Sequence, residues 1–86
     1  MHKIEVEMKA AVAKRRSWKS SNTEVVADSN TVKVYLHGNH IATVEGNNVE
    51  ANMDTINRWP TNTTLSRLRA LGVSVRRVGG VVQFEE

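Results

Sequence analysis

The stretch Thr31–Glu45, TVKVYLHGNHIATVE, decides the fold that this sequence predicts. Its first half alternates apolar Val32, Val34 and Leu36 with more polar residues, which is typical of a strand with one face on a core. Its second half is rich in β-branched residues, which suit a pleated sheet. Because Gly38-Asn39 separates the two halves, the stretch predicts a β-hairpin.

The sequence allows two registers for this hairpin. A two-residue Gly38-Asn39 loop places Leu36 opposite Ile41. A three-residue loop pairs Leu36 with Ala42 and moves Ile41 to the other face, because a one-residue slip exchanges the faces of a strand. Either register leaves apolar side chains on both faces. We therefore expect a central hairpin that is partly covered on both sides, on one of them by a helix.

Strand patterns continue on both sides of the hairpin. Thr23 to Ala27 is a short strand, and residues 49–53, VEANM, alternate apolar with polar side chains. Turn-forming residues at 28–30 and 46–48 separate these strands from the hairpin. Since all the connections are short, we expect a four-stranded antiparallel meander from residue 23 to residue 53.

The N-terminal residues 3–16, KIEVEMKAAVAKRR, have apolar spacings that fit a strand or a helix. A helix is favoured because KAAVAKRR has high helix propensity and because acidic residues come early and basic residues late in the segment. Residues 17–22, SWKSSN, are turn-forming and are predicted to end this helix.

The last third of the chain predicts a second helix and a second hairpin. Pro60 prevents a helix from passing through residues 54–64. We expect a helix that begins at one of residues 62–64, ends at Gly72 and covers Trp59.

Two strands, residues 73–78 and 81–84, then flank a Gly79-Gly80 turn, with Val75 opposite Phe84 and Arg76 opposite Gln83. This hairpin is expected to extend the first sheet or to pack beside it, and Phe84 is expected in the core. The predicted fold class is α+β, with an N-terminal helix, a four-stranded antiparallel meander, a second helix and a C-terminal β-hairpin.

Composition limits the class of protein. A chain of 86 residues predicts a single domain over residues 1–86. The chain has no cysteine, which excludes a disulfide framework and a thiolate metal site. Its apolar runs are too short to cross a membrane, and its N-terminus lacks the apolar segment of a signal peptide. We therefore expect a cytoplasmic protein without membrane contact.

The net charge of +3 is partly localised in two clusters. The first cluster contains Lys14, Arg15, Arg16 and Lys19, and the second contains Arg67, Arg69, Arg76 and Arg77. Such clusters are solvated faces that keep a small protein soluble, or they attract phosphates or an acidic partner. Trp18 lies within the first cluster and is either an anchor at the edge of the core or an exposed aromatic for stacking on a base or filling a partner's pocket.

Patterns for catalysis are absent from the sequence. His37 and His40 face one another in the two-residue register, but two histidines are too few ligands for a typical zinc site. No serine lies in a nucleophile elbow, the carboxylates show no paired acid/base spacing, and Gly79-Gly80 lacks the strand-to-helix context of a phosphate loop. We therefore expect a protein that is not an enzyme and that has no metal and no cofactor.

Three segments carry a resemblance to small accessory proteins of tailed bacteriophages and prophages. They are SWKSSNTEV at 17–25, VYLHGNHIATV at 34–44 and WPTNTTLSRLRALGV at 59–73. They contain the elements Lys-Ser-x-Asn-Thr, Leu-x-Gly-Asn-x-Ile-Ala and Trp-x-Thr-x-Thr-Thr. The resemblance implies a protein of the bacterial host's cytoplasm that binds and redirects host machinery, including defence complexes, without chemistry of its own.

Three hypotheses of function follow. The first is a binding protein that inhibits or modulates a host protein or ribonucleoprotein complex through Lys14, Arg15, Arg16, Trp18, Lys19, Arg67, Arg69, Arg76 and Arg77. The second is a nucleic-acid-binding protein that uses Lys33, Tyr35 and His37 as a platform and the basic clusters as phosphate contacts. The third is a structural component that oligomerises through an exposed edge strand such as Thr23 to Ala27.

Overall fold

The structure is a computed structural model that describes residues 2–85. Its elements in chain order are α1 (Lys3–Ala13), β1 (Trp18–Ser20), β2 (Thr23–Ala27), β3 (Val32–Leu36), β4 (Asn39–Glu45), β5 (Asn48–Ala51), α2 (Met53–Arg58), α3 (Asn62–Ala70), β6 (Val75–Val78) and β7 (Val81–Phe84). The predicted α+β class is confirmed, with every predicted element present. Two elements, β1 and α2, were not predicted.

The N-terminal segment is a helix, as predicted, but it ends three residues earlier than expected. Lys14 is the C-cap, and Arg15 adopts a left-handed conformation with φ of 51°. Such a residue commonly ends a helix. The backbone N–H of Arg16 donates to the carbonyl of Ala11 at 2.9 Å. Lys14, Arg15 and Arg16 therefore lie on a turn beyond the helix.

The main sheet has five antiparallel strands in the order β1-β2-β3-β4-β5, so the predicted meander is confirmed and one strand is added. The prediction of a simple turn at residues 17–22 was wrong, because Trp18 pairs with Val25 and Ser20 pairs with Thr23. The hydroxyl of Ser17 also accepts a hydrogen bond from the N–H of Ala27 at 3.0 Å. β2 is therefore an inner strand, and the predicted exposed edge at Thr23 to Ala27 was wrong.

The central hairpin adopts neither of the two predicted registers. Its loop is His37-Gly38, with φ of 52° and 78°, so Leu36 pairs with Asn39. Two successive residues with positive φ form the type I′ turn that matches the twist of a hairpin. Beyond this turn the register shifts by one residue, and Ile41 is a β-bulge without a partner on β3. Ile41 and Ala42 are consecutive residues, yet both are buried. The bulge therefore explains how apolar side chains that a regular strand would place on opposite faces can both reach the core.

Only one face of the sheet carries the core. Val32, Val34 and Leu36 are buried together with helix residues such as Met8 and Leu68, whereas Lys33 on the opposite face is exposed. The expectation of a central hairpin is therefore confirmed, but the expectation of cover on both sides was wrong. The opposite face is open to solvent.

The segment before the second predicted helix holds a further short helix. The side chain of Asn52 caps α2 by accepting from the N–H of Thr55 at 3.4 Å, and Ile56 is fully buried. α2 ends at Arg58 because Pro60 disfavours a helical conformation at Trp59, whose ψ is 68°. Trp59 is 45% exposed, so the expectation that it packs beneath the next helix was wrong.

The second predicted helix, α3, is capped one residue earlier than expected. Thr61, rather than one of residues 62–64, accepts a hydrogen bond from the N–H of Thr64 at 3.1 Å. Leu65 and Leu68 are buried as predicted, and Gly72 follows the helix with φ of 95°.

The C-terminal hairpin has the predicted turn and register. Val75 pairs with Phe84, and Arg76 pairs with Gln83. β6 and β7 form a separate two-stranded sheet, and β6 lies against α3. Val75 is buried, but Phe84 is 38% exposed, so its predicted place in the core was wrong.

Candidate protein-binding surfaces

The first basic cluster lies on the turn after α1 and on β1, and we call Lys14, Arg15, Arg16, Trp18 and Lys19 together the cationic surface. Lys14 and Arg16 border Trp18, whereas Lys19 pairs with Glu24 and faces the open side of the sheet. The four cations of this surface are all exposed. The ion pairs found within residues 2–85 involve none of these four. Arg15 makes one long hydrogen bond, 3.4 Å from its Nη2 to the carbonyl oxygen of Gly46. The positive charge of this surface is therefore available to a partner.

Trp18 is an anchor at the edge of the core, which is one of the two alternatives that the sequence left open, and part of its side chain remains exposed. Its indole is half-buried and packs against the core at the outer strand β1. The remaining surface borders an open recess of about 250 Å³ between α1 and β1, which Lys14 and Arg16 also line. A large aromatic with cations at its rim is the composition that protein interfaces favour.

The second basic cluster has a different environment, as its first residue, Arg67, shows. This side chain is only 6% exposed, and its Nη1 lies 2.7 Å from a carboxylate oxygen of Glu5. Its Nε donates to Thr23 at 3.1 Å, and the hydroxyl of Ser66 donates to the same Glu5 carboxylate at 2.5 Å. We call this group of four residues the Glu5–Arg67 clasp. It joins α1, β2 and α3, so Arg67 is a structural residue, and little of its side chain is left for the predicted contact with a partner.

Burial in the clasp raises the pKa of Glu5, but other effects outweigh it. The hydrogen bonds from Ser66 and Arg67 and the positive charges of Arg67 and His2 favour the carboxylate, so the pKa lies below its ordinary value of 4.5. The clasp is therefore an ion pair in the folded protein near neutral pH.

The other three arginines of the second cluster bind neighbouring groups of the fold. Arg69 donates to the carbonyl of Val75 at 3.1 Å, and Arg76 forms an ion pair with Glu85. Arg77 donates to the carbonyl of Pro60 at 2.8 Å and to the side chain of Asn62. Their side chains are exposed, but some of their N–H groups already donate to other groups of the fold. They do not form one surface with the first cluster.

Two of the three residues predicted for a nucleic-acid platform lie on the open face of the sheet. Lys33 and Tyr35 lie on this face, but His37 belongs to the β3–β4 turn. His40 takes its place, with its ring centroid 5.4 Å from that of Tyr35. The predicted pairing of His37 with His40 was therefore wrong, because it depended on a Gly38-Asn39 turn, whereas the turn is formed by His37 and Gly38.

A network of hydrogen bonds fixes the His40 ring. Its Nε2 lies 2.8 Å from the hydroxyl of Thr43 and 3.0 Å from the carbonyl of Ala42, and the amide of Asn52 donates to its Nδ1 at 3.2 Å. Because a carbonyl only accepts, the hydrogen is assigned to Nε2. Within residues 2–85 no three histidine or carboxylate side chains are grouped to hold a metal ion.

Sequence reasoning missed the surroundings of two aromatic side chains. His40 lies beside Tyr35, and Trp59 is exposed. The position of His40 could have been found from the sequence, because a turn at His37-Gly38 in place of Gly38-Asn39 pairs Tyr35 with His40. The signal for Trp59 was the following proline, which ends α2 and holds the indole at its terminus. None of the helices within residues 2–85 has the length and apolar character that a membrane span needs.

Comparison with known proteins supplies the origin of the chain. No curated protein and no solved structure matches it. The phage family described as Kyanoviridae Gp96 protein matches residues 1–85, nearly the whole chain. This match confirms the phage origin that the sequence implied, and the chain belongs to the Kyanoviridae Gp96 protein family.

Proposed function

We propose that this phage protein is a non-catalytic binding protein that inhibits or modulates a macromolecular complex in the cytoplasm of the bacterial host. The cationic surface carries this proposal. Three exposed cations lie on the turn that precedes a half-buried tryptophan, and a fourth, Lys19, follows the tryptophan on β1.

The chemistry of the cationic surface fits an acidic protein surface. Tryptophan and arginine are the residue types most enriched among the residues that contribute most to binding. Trp18 is already packed on the core, so little side-chain entropy is lost when a partner covers its exposed part. The cations at its rim accelerate association with a partner of opposite charge and add specificity.

The distribution of charge favours a protein over a nucleic acid as the main partner. A nucleic acid needs several phosphate contacts, and those contacts come from cations that are free to reach the backbone. In the second cluster, Arg67 is neutralised by Glu5 and Arg76 by Glu85. The cationic surface is thus a compact patch and does not continue as a basic groove.

The second candidate function is binding of single-stranded nucleic acid on the open sheet face. It is favoured by Tyr35, which lies beside His40 and could stack on a base, and by exposed Lys33. Against it, Glu24 pairs with Tyr35, and Glu50 pairs with Thr43 on the same face. A titration with a fluorescent oligonucleotide at low salt tests this candidate, and binding that weakens steeply with salt and is lost in Lys33→Glu supports it.

The main proposal is tested by affinity capture of the tagged chain from host lysate, with and without nuclease, followed by mass spectrometry. We expect a stoichiometric host complex that resists nuclease and is lost from the double variant Arg15→Glu/Arg16→Glu. The control is Lys3→Glu/Lys9→Glu, which changes the net charge equally at exposed positions of α1 outside both candidate surfaces. Equal capture by both variants, or recovery of nuclease-sensitive material alone, contradicts the proposal.

A further inference from the structure

A second recess lies at the opposite end of the sheet from the cationic surface. We call it the Trp59 pocket, and its volume is about 260 Å³. Its walls come from the β3–β4 turn, from the end of α2 and from the start of α3, and they include Leu36, His37, Ile41, Trp59 and Thr61. The cationic surface instead lies near Gly46 in the β4–β5 turn, to which Arg15 donates. In an antiparallel meander these two turns are at opposite ends of the strands.

The size and lining of the pocket suit an apolar side chain. Sites for whole small-molecule ligands usually measure about 300–1,000 Å³, and this pocket lies below that range. Leu36 and Ile41 form its floor, and both are almost fully buried. The indole of Trp59 forms a wall and is 45% exposed, which leaves a large apolar surface beside the opening.

The backbone of both aromatic residues at the pocket is held by hydrogen bonds. The N–H of Trp59 donates to the carbonyl of Thr55 at 2.9 Å, and Pro60 restricts its backbone further. His37 has a φ of 52° in the turn, at a position where asparagine, aspartate or glycine is usual. Its backbone N–H is anchored to the carbonyl of Asn22 at 2.7 Å. A rigid pocket loses little entropy on binding.

The charges around the pocket favour an acidic partner segment. Among the residues that the structure describes, none of those lining the pocket is a carboxylate. Arg77 bonds to Pro60 and Asn62, the two residues on either side of Thr61, and this places a guanidinium beside the pocket wall. Arg58 adjoins Trp59 in the chain and is exposed. An apolar side chain that enters the pocket therefore brings its neighbouring residues close to positive charge.

We propose that the Trp59 pocket is a docking site for a large apolar side chain carried by an acidic segment of a protein partner. This inference rests on the proposed protein-binding function and adds a contact that is independent of the cationic surface. The partner would reach both ends of the sheet, or two partners would bind at once. Either arrangement leaves the open sheet face uncovered.

The test is a titration of the full chain, labelled with ¹⁵N, with the peptide acetyl-Glu-Leu-Phe-Glu-amide, followed by NMR. We expect saturable shifts at the Trp59 indole N–H, His37 and Thr61, with a Kd on the order of 1 mM. Replacing the leucine and phenylalanine of the peptide by alanine should weaken binding about tenfold or more, because the anchor is lost. Replacing its glutamates by lysine should weaken binding for lack of charge complementarity.

Two variants of the chain separate loss of the pocket from loss of the fold. Trp59→Ala removes one wall and should weaken binding about tenfold. His37→Asn should also weaken binding, although asparagine suits the left-handed conformation better and keeps the hairpin. Arg15→Glu/Arg16→Glu should bind the peptide as the unaltered chain does. Absence of shifts, equal binding of the alanine peptide, or shifts confined to Trp18 would overturn the proposal without affecting the capture experiment.

Discussion

The two basic segments, residues 14–19 and 67–77, each carry four cations but have different roles in the structure. The first lies on a turn and an edge strand, with its cations in solvent. The second runs from α3 into the C-terminal hairpin, and each of its arginines bonds to another part of the chain. The difference arises from the groups that each segment meets. Only the second segment meets a buried carboxylate, and the carbonyl contact of the first, from Arg15 to Gly46, is long.

The comparison shows that local charge density is a poor guide to a binding surface. Glu5 and Arg67 are 62 residues apart in the chain and form the buried ion pair of the clasp. A buried arginine remains charged and must be paired, so the fold itself requires Glu5 at this place. Nothing comparable is required of Lys14, Arg15, Arg16 or Lys19. Substitutions in the two segments should therefore separate stability from binding.

The largest expected effect is that of Arg67→Met. It leaves the Glu5 carboxylate buried without its main partner and should lower the free energy of unfolding by about 3–5 kcal/mol, as measured by urea denaturation. The double variant Glu5→Gln/Arg67→Met removes both charges and should recover much of this loss. If Arg67→Met unfolds at the same urea concentration as the unaltered chain, the clasp is not the structural contact described above.

Lowering the pH should reduce the contribution of the clasp to the free energy of unfolding. Because the pKa of Glu5 is lower in the folded than in the unfolded chain, its contribution to stability is fully present above about pH 4.5 and is lost as the pH falls through the folded pKa. We expect a smaller effect than for Arg67→Met, since a protonated Glu5 keeps its shape and can still bond to Ser66. Urea denaturation at several pH values should show a steeper decline for the unaltered chain than for Glu5→Gln. Parallel curves would contradict the lowered pKa.

An intermediate effect is expected for Arg77→Ala. This substitution removes the hydrogen bonds to Pro60 and Asn62, which tie the C-terminal hairpin to the start of α3. Exposed hydrogen bonds of this kind contribute about 0.5–1.5 kcal/mol, and we expect a loss in that range by urea denaturation. Arg76→Ala is the matched control, because its surface ion pair with Glu85 should contribute at most about 1 kcal/mol. A larger loss for Arg76→Ala than for Arg77→Ala would reverse this order.

The smallest effect on stability is expected for Arg15→Glu/Arg16→Glu. Both side chains are exposed, and the single hydrogen bond of Arg15 is long. The free energy of unfolding should change by no more than about 0.5 kcal/mol. Capture of the host complex should nevertheless be lost. A marked loss of stability would show that this segment, like the second, stabilises the fold.

Local patterns sufficed for much of the fold because the strands pair with their neighbours in the chain. The β6–β7 register followed from the Gly79-Gly80 turn alone. β1 was missed because a three-residue edge strand of polar residues and one tryptophan has no periodicity. α2 was missed because its six residues bury only Ile56, too little to show a helical stripe.

The candidate site was only partly predictable for a different physical reason. Exposure of residues 14–19 follows from their polarity, and Trp18 marks the segment by itself. The exposure of Trp59 and the burial of Arg67 depend on contacts between segments that are far apart in the chain. Sequence patterns describe neighbours in the chain, whereas these two environments are set by tertiary packing.

The β-bulge at Ile41 has a consequence for how related sequences should align. The residue is unpaired on β3, yet its side chain is buried and its carbonyl accepts from the N–H of Asn52 at 2.8 Å. Deleting it would restore a regular ladder but would remove a core side chain and the bond that leads into α2. Relatives that share this fold should therefore keep the same number of residues between Val34 and Ala42, and insertions should collect in the β2–β3 and β4–β5 turns.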